Sequence, residues 1–243
     1  MRELGVPFAG LFGACSTMAE GLALGAALCE GGAARNLLAM ASSHFCAAER
    51  QFRTPLSYGA VRTPTAQWTA TAAGCCLLQP QGEGVGIAAA TFGRVQDYQV
   101  KDINNMGAAM APAAASTLLH YFKDTGTEPQ EFDCIYTGDL GQVGSQLLRE
   151  LLAAEGLLIK NHVDCGCILF DANEQSVKSG GSGPGCCAAV LCGHILPRLR
   201  RGSQKRVLFT ATGALMSQTT FLQKETIPAV AHLVELRALE KEK

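Results

Sequence analysis

The sequence predicts an α/β protein, and two observations lead to this prediction. The order apolar strand, small-residue turn, helix occurs twice, over 6–12, 13–18 and 19–27 and again over 132–137, 138–141 and 145–155. The composition includes 27 glycines and only 6% aromatic residues, which favours close packing of helices on sheets over bulky aromatic cores. The 243 residues are enough for one large domain or two fused halves.

Hydrophobic runs and turn residues place the remaining elements in order. Strands are predicted at 6–12, 35–43, 65–78, 86–92, 132–137, 167–170, 207–211 and 227–236, and helices at 19–27, 108–122, 145–155 and 186–199. Gly-Gly breaks and the turn-rich stretch 79–84 separate the early elements, and Pro112 is expected in the first turn of its helix. Residues 212–215 are expected to form a turn and the charged tail 237–243 to fray.

A glycine-rich turn at 180–185 precedes the helix predicted at 186–199. No Lys-Ser/Thr pair follows it, so a nucleotide phosphate loop is not indicated. Close approach of the backbone to a helix or a ligand explains the glycines better.

Charge and cysteine usage exclude several classes of protein. The formal net charge of −1 gives no nucleic-acid footprint. The 11 cysteines mostly lie inside apolar runs without metal-ligand spacing, so we expect reduced thiols, no metal and no cofactor. Neither a signal peptide nor a transmembrane segment is predicted. The basic run 198–206 is typical of a solvated turn, with contact to a membrane surface as the alternative.

Cys15 stands where the first strand gives way to the first helix. A helix N-terminus offers free backbone N–H groups and the positive end of the helix dipole, which lowers the pKa of a thiol and can hold an anion. Cys15 is therefore a nucleophile or part of an anion pocket. The alternative is a buried structural cysteine.

His44 and the arginines after it are further candidates. His44 follows the strand at 35–43 and either lines a pocket or is hydrogen-bonded within a loop. The segment 49–62 is expected to be a surface loop or short helix. Its arginines, Arg50 and Arg53 among them, include one that could reach a carboxylate ligand.

Long motifs in the chain resemble one family. They are GACSTM, SSHFCAAERQFR, AQWTATAAG, NNMGAAMAPAAA, TGDLGQVG, DCG, GGSGPGCCAAV, TGALMS and ETIPAVAH, and in this order they resemble the stage V sporulation protein AD family over residues 4–236. The resemblance implies a thiolase-like fold of two similar α/β halves with mixed sheets layered between helices, at 1–105 and 106–243. Members begin with a further strand–helix segment, so we expect a shortened member of the family.

The resemblance also implies a function. The family binds dipicolinic acid and acts with membrane-embedded subunits that move it, with calcium, into the developing spore and out at germination. We therefore expect a homodimer, peripheral to the spore inner membrane. Strand ends and turns that converge in such folds contribute the expected ligand-binding residues. These are Cys15, Ser16, His44, Arg50, Arg53, Thr137, Asp139, Ser182 and Thr212.

Catalysis is not expected, because the partners of the cysteine differ from those of condensing enzymes. Thr137-Gly138 replaces the histidine that follows the strand at 132–136, and Ser182-Gly183-Pro184-Gly185 replaces the asparagine or second histidine before the late helix. Threonine, serine and glycine cannot act as a general base near neutral pH. The alternative is an active thiolase-like or ketoacyl-synthase-like acyltransferase that uses Cys15.

Overall fold

A mixed five-stranded sheet forms the centre of the computed structural model, which describes residues 3, 5–52 and 61–239, with the backbone alone at 51 and 52. The strand order is β4 (Val85–Thr91), β9 (Ala229–Ala238), β8 (Arg206–Ala214), β5 (Cys134–Thr137) and β6 (His162–Asp164). β5 pairs in parallel with β6 and β8, while β9 is antiparallel to β8 and β4. The carboxyl ends of β5 and β6 therefore meet at one edge of the sheet.

Two shorter pairs complete the strands. β1 (Leu37–Ser43) is antiparallel to β3 (Ala72–Leu78), in a register that places Ser43 opposite Ala72. β2 (Trp68–Thr69) runs parallel to β7 (Gly181–Ser182). We call the β1–β3 pair the small sheet. The β2–β7 pair joins the segment that leads into β3 to the glycine-rich turn at 180–185.

Eight α-helices are described. They are α1 (Thr17–Glu30), α2 (Phe45–Phe52), α3 (Met106–Thr125), α4 (Gly141–Ala154), α5 (Cys165–Leu169), α6 (Pro184–Val190), α7 (Leu196–Arg200) and α8 (Gln218–Leu222). A 3-10 turn, Ala14–Ser16, leads into α1, and another spans Pro129–Glu131. A π-helical turn, Leu191–Ile195, joins α6 to α7. The chain is therefore helical throughout 186–199, where the sequence predicts a helix.

The core forms on both faces of the central sheet. Along β8, Leu208 faces a cluster with α3 and α4, whereas Val207 and Phe209 face a second cluster with α1 and α6. Alternate residues of one strand thus serve two helix layers, as the period of a strand requires. α1 and α6 also pack on β1, so they lie between the central sheet and the small one.

The apolar run at 6–12 is not the buried strand that the sequence predicts. It contains no strand, and the side chains of Phe8 and Phe12 are 70% and 89% exposed. An apolar run becomes a strand only where a neighbour completes its backbone hydrogen bonds, and no described strand pairs with this segment.

The strand predicted at 167–170 is also wrong, because Cys165–Leu169 forms α5. Asp164 caps this helix, since its side chain accepts a hydrogen bond from the Cys167 N–H at 3.2 Å. The strand in this region is β6, which lies directly before α5. It has only three residues with a polar residue at each end, so it shows no hydrophobic pattern in the sequence.

Smaller differences concern element ends. Asn105 caps α3, so the helix begins at Met106 and Pro112 lies in its second turn instead of its first. α4 begins at Gly141 instead of residue 145. β8 continues through Ala214, which overturns the turn expected at 212–215, and residues 237–239 are paired instead of frayed.

The proposed division of the chain at residue 105 stays a prediction. β4, which precedes that boundary, pairs with β9, which follows it. Over the described residues, no helix combines the length and apolar character needed to span a bilayer.

Candidate functional site

Cys15 lies in the 3-10 turn that enters α1, packed against the end of β8. The turn is closed by Ser16, whose N–H and hydroxyl both donate to the Gly13 carbonyl, at 3.0 and 2.6 Å. A Cβ on Gly213 would lie 2.2 Å from the same carbonyl oxygen. A glycine at this point of β8 is therefore what lets the Cys15 turn approach the sheet.

Asp139, which follows β5 directly, is fully buried and receives hydrogen bonds from three other segments. Its Oδ2 accepts from the Ser182 hydroxyl and the Gly183 N–H, both at 2.9 Å. Its Oδ1 accepts from the Thr212 hydroxyl at 3.0 Å. The thiol of Cys15 lies close enough to the same carboxyl group for each to shift the pKa of the other. We call Cys15, Asp139, Ser182, Gly183 and Thr212 the Cys15–Asp139 cluster.

This environment keeps the Cys15 thiol protonated. Burial, followed by the charge of Asp139 and the hydrogen bond to it, raises the pKa of Cys15 well above its usual range. The sequence-based expectation of a lowered pKa is therefore wrong, because desolvation and a carboxylate outweigh the helix N-terminus. Burial also raises the pKa of Asp139, against the hydrogen bonds from Gly183, Ser182, Cys15 and Thr212.

A second buried carboxylate, Asp164, holds the turn that carries Asp139. Its Oδ2 accepts from the Thr137 hydroxyl at 2.6 Å and the Leu140 N–H at 2.9 Å. Its Oδ1 accepts from the Gly141 N–H, also at 2.9 Å. Burial raises the pKa of Asp164 to about 6, although these hydrogen bonds oppose the shift. Asp164 therefore fixes where α4 begins.

His162 completes this second network. Thr137 donates its proton to Asp164, so its oxygen accepts from His162 Nε2 at 2.9 Å. His162 Nδ1 is then the acceptor that faces Arg149, at 3.4 Å. Burial and the charge of Arg149 lower the pKa of His162 to about 4, so the ring is neutral. Arg149, His162 and Asp164 line a cavity of about 310 Å³ between α4, β6 and α5.

Gln67 links the two networks through the backbone. Its amide donates to the Asp139 carbonyl at 2.5 Å and to the Gly181 carbonyl at 3.2 Å. Gly141 sits at φ +66°, and a Cβ there would lie 2.5 Å from the Ser179 carbonyl oxygen. The turn at 138–141 is therefore held between β2, β7 and the segment before β7.

The structure brings together four of the predicted site residues: Cys15, Asp139, Ser182 and Thr212. Ser16 adjoins them, but its hydroxyl is bound to Gly13 within the turn. Thr137 belongs to the neighbouring Asp164 network.

The remaining predicted residues are not part of the cluster. His44 and Arg50 are exposed, before and within α2, and have no described contact with Asp139. Arg53 lies outside the described residues. The loop or short helix expected at 49–62 begins inside α2. Arg62, from the same segment, does not reach toward the cluster as a free cation, because it is paired with Glu49 at 2.8 Å.

Sequence reasoning missed Asp164, His162 and Gln67. Two of them stand in motifs that carry the family resemblance, Gln67 in AQWTATAAG and Asp164 in DCG. A lone aspartate between a short strand and a cysteine gives no sign that it receives three hydrogen bonds from a distant segment. Among residues 5–52 and 61–239, no group of three or more His, Cys, Asp or Glu side chains is arranged to hold a metal ion.

Comparisons with known proteins agree with this architecture. The sequence model of the stage V sporulation protein AD family matches residues 1–237. The chain is 44% identical over 232 residues to stage V sporulation protein AD of Bacillus subtilis (strain 168), an alignment that covers 95% of this chain and 68% of the relative.

Solved structures with the same fold are condensing enzymes. The tetronic acid condensing enzyme AbyA1 superposes with a TM-score of 0.59 at 16% identity, over 96% of this chain and 69% of that one. The 3-oxoacyl-[acyl-carrier-protein] synthase III of Aquifex aeolicus gives 0.58 at 14% identity, over 97% and 68%. The predicted thiolase-like α/β fold is thereby confirmed. At these identities the likeness concerns the fold alone.

Proposed function

The chain belongs to the stage V sporulation protein AD family, and we propose that it is a non-catalytic dipicolinate-binding subunit. In this role it acts with membrane-embedded subunits of a channel that moves dipicolinic acid, with calcium, into the developing spore and out at germination. The observation that carries the non-catalytic part is the burial of the Cys15 thiol beside Asp139, which raises the thiol pKa.

A nucleophilic cysteine needs a thiolate, and the Cys15–Asp139 cluster opposes one. Enzymes activate such a cysteine with a histidine, a cation or a helix N-terminus that lowers the thiol pKa. Here the strongest influences on Cys15 after burial come from Asp139 and Cys187, and they raise its pKa. Asp139 is the ionisable group beside the thiol, and its charge raises the thiol pKa instead of lowering it.

His162, which belongs to the neighbouring Asp164 network, is engaged with other residues. His162 is bound to Thr137 and faces Arg149, and its pKa of about 4 makes it a poor base at neutral pH. Of the other histidines, His120 is bound to the Ser116 carbonyl, His232 accepts from the Gly93 N–H, and His194 packs edge-on against Tyr136. His44 is exposed before α2. This distribution supports a binding site over a thiolase-type active site.

The charge of the site favours the calcium complex of dipicolinate over the free dianion. Asp139 and Asp164 already lie at the end of β5 and β6, and a dianion beside them would be repelled. Calcium offsets both carboxylates of dipicolinate, so the complex carries no net charge. Calcium also takes six to eight oxygen ligands, more than one dipicolinate supplies, which leaves positions for protein or water oxygens.

Isothermal titration calorimetry of the chain tests this proposal. Calcium dipicolinate should bind more tightly than sodium dipicolinate with a chelator present. Benzene-1,3-dicarboxylate, which lacks the ring nitrogen, and calcium chloride alone are the matched controls. Asp139→Asn should narrow the difference between the two forms of dipicolinate. The absence of heat and of a thermal shift up to millimolar dipicolinate, with and without calcium, would overturn the proposal.

The condensing-enzyme fold supplies the alternative, an acyltransferase that uses Cys15. Incubation with acetyl-CoA followed by intact-mass measurement separates the two functions. We expect no acetyl adduct and no release of coenzyme A. A stable acetyl group on Cys15 with stoichiometric coenzyme A would establish the alternative.

We further propose that the chain forms homodimers and is held at the spore inner membrane by its partners. Among the described strands, β1 pairs only with β3, so its other edge is open to a second copy. Arg198, Arg200 and Arg201 are exposed, and each offers about 1 kcal/mol near an anionic leaflet. Flotation with anionic vesicles should therefore show weak, salt-sensitive binding, and light scattering should show a dimer. Vesicle binding that survives high salt, or a monomer at all concentrations, would contradict these two parts.

A further inference from the structure

Cys76 and Cys192 form a thiol pair away from the Cys15–Asp139 cluster. Their Sγ atoms lie 3.9 Å apart, although the residues are 116 positions apart in the chain. Cys76 is on β3, and Cys192 is in the π-helical turn between α6 and α7. Both residues are partly exposed. A disulfide needs an S–S distance of about 2.05 Å, so the sulfurs must approach by roughly 2 Å.

The local geometry favours a disulfide between Cys76 and Cys192 over one between Cys75 and Cys192. Cys75 is next to Cys76, but successive side chains of a strand point to opposite faces, so its thiol faces away from Cys192. Only the Cys75 carbonyl approaches, at 3.6 Å from Cys192 Sγ. The π-helical turn supplies a helix segment with an extra residue per turn, which is a common place for local adjustment.

Cys192 is the more reactive thiol of the pair. The hydrogen bond with Cys76, together with the charge of Arg200, lowers the pKa of Cys192 to about 6, although partial burial opposes the shift. The same hydrogen bond raises the pKa of Cys76. Cys192 is therefore the more readily ionised of the two thiols, an asymmetry that favours thiol–disulfide exchange.

We propose that Cys76 and Cys192 are a redox-active dithiol that is oxidised to a disulfide by a low-molecular-weight disulfide. The Cys192 thiolate attacks one sulfur of the small disulfide and releases a small thiolate, which takes up a proton. Cys76 then loses its proton and attacks the Cys192 sulfur, releasing the second small thiol. Two protein thiols are oxidised to one disulfide, and one small disulfide is reduced to two thiols.

The position of the pair gives oxidation a structural consequence. The bond ties β3 of the small sheet to the helical run that starts at Pro184. That run begins where the Gly183 N–H binds Asp139, and its Cys187 thiol donates to the Cys15 carbonyl at 3.6 Å. Oxidation therefore restrains a helix that contacts the Cys15–Asp139 cluster at its other end.

The test uses the full chain in glutathione buffers at pH 7, with glutathione disulfide as the probe. After an alkylating quench, intact mass and peptide mapping should show the loss of two thiols and one cross-linked Cys76–Cys192 peptide without bound glutathione. Cys76→Ser should retain one glutathione on Cys192, because the resolving thiol is missing. Cys192→Ser should leave Cys76 unmodified, and Cys75→Ser should behave as the wild type.

Several results would overturn the proposal. They are glutathione retained on wild-type Cys192, a disulfide to Cys75 instead of Cys76, and no reaction of the pair under conditions that modify the exposed Cys46. The wild-type peptide map alone distinguishes these results, so the test does not depend on how well a variant folds. Circular dichroism of each serine variant establishes that its behaviour belongs to the folded chain.

Discussion

The thiol of Cys15 lies beside the carboxyl group of Asp139, which binds Ser182, Gly183 and Thr212. This contact joins the start of α1 to the end of β5. It places a carboxyl group, instead of a histidine or a cation, beside the cysteine thiol. The site thus retains the cysteine but suppresses its ionisation, which is compatible with a binding pocket.

Replacing Asp139 with asparagine should make Cys15 more reactive. The substitution removes the charge that raises the thiol pKa, while burial still raises it. Each unit by which the pKa falls increases the thiolate fraction about tenfold at a pH below that pKa. Alkylation of Cys15 by iodoacetamide at pH 8, followed by peptide mapping, should therefore be about tenfold faster or more.

The control for this experiment is Asp97→Asn, which removes an exposed aspartate bonded to Thr226. It should leave the alkylation rate of Cys15 unchanged. If Asp139→Asn and Asp97→Asn react alike, Asp139 does not govern the Cys15 thiol.

The size of the Cys15 side chain should matter more for ligand binding than its reactivity. Cys15→Ser keeps a small hydrogen-bond donor beside Asp139 and should cost little affinity for calcium dipicolinate. Cys15→Trp should abolish binding, since the indole would fill the space at the start of α1. Calorimetry measures both, with circular dichroism to establish that each variant folds. Equal binding by the wild type and the Trp variant would place the ligand elsewhere.

The sequence predicted the elements with strong hydrophobic patterns. The runs at 132–137 and 227–236 correspond to β5 and β9, which are buried throughout except at the last residues of β9. Asp139 and Ser182 lie at strand ends, as the sequence predicts, whereas Thr212 lies within β8 and Cys15 follows no described strand. These predictions depend on local pattern and on the way strand ends meet in a sheet.

The failures share a different cause. Residues 6–12 have the composition of a strand, but pairing depends on a neighbour that a local pattern does not reveal. Cys165–Leu169 is a helix because Asp164 caps it, and Asp164 also receives hydrogen bonds from a turn 23 and 24 positions away. The pKa of Cys15 was mispredicted because the deciding carboxylate is distant in sequence. Each of these predictions therefore failed because contacts between residues distant in sequence decide the outcome.

The pH dependence of stability should reveal two opposing groups, Asp164 and His162. Asp164 has a folded pKa of about 6 against 3.8 unfolded, so the folded state binds more protons and stability falls as pH rises from about 4 to 6. His162 has a folded pKa of about 4 against 6.5 unfolded, so stability rises over nearly the same window. Each effect amounts to about 3 kcal/mol, and together they nearly cancel.

Single substitutions should therefore expose each contribution. Urea unfolding at pH 4.2 and 6.5 would compare the wild type with Asp164→Asn and His162→Gln, each as a difference from wild type. Relative to wild type, Asp164→Asn should lose stability on acidification, by roughly 2–3 kcal/mol, and His162→Gln should gain it. The same pH slope in all three proteins would show that these groups do not titrate as the structure implies.

Gly183, in the turn that binds Asp139, should be hard to replace. Its φ is +103°, a conformation that L side chains rarely adopt, and a Cβ would lie 2.7 Å from the Ser43 hydroxyl. Gly183→Ala should therefore destabilise the fold by about 3 kcal/mol and shift the N–H that binds Asp139. Gly202→Ala is the matched control, since its φ is +72° with open space around the position, and it should cost about 1 kcal/mol. Urea unfolding measures both variants, and equal losses would mean that the contact with Ser43 adds nothing to the backbone cost.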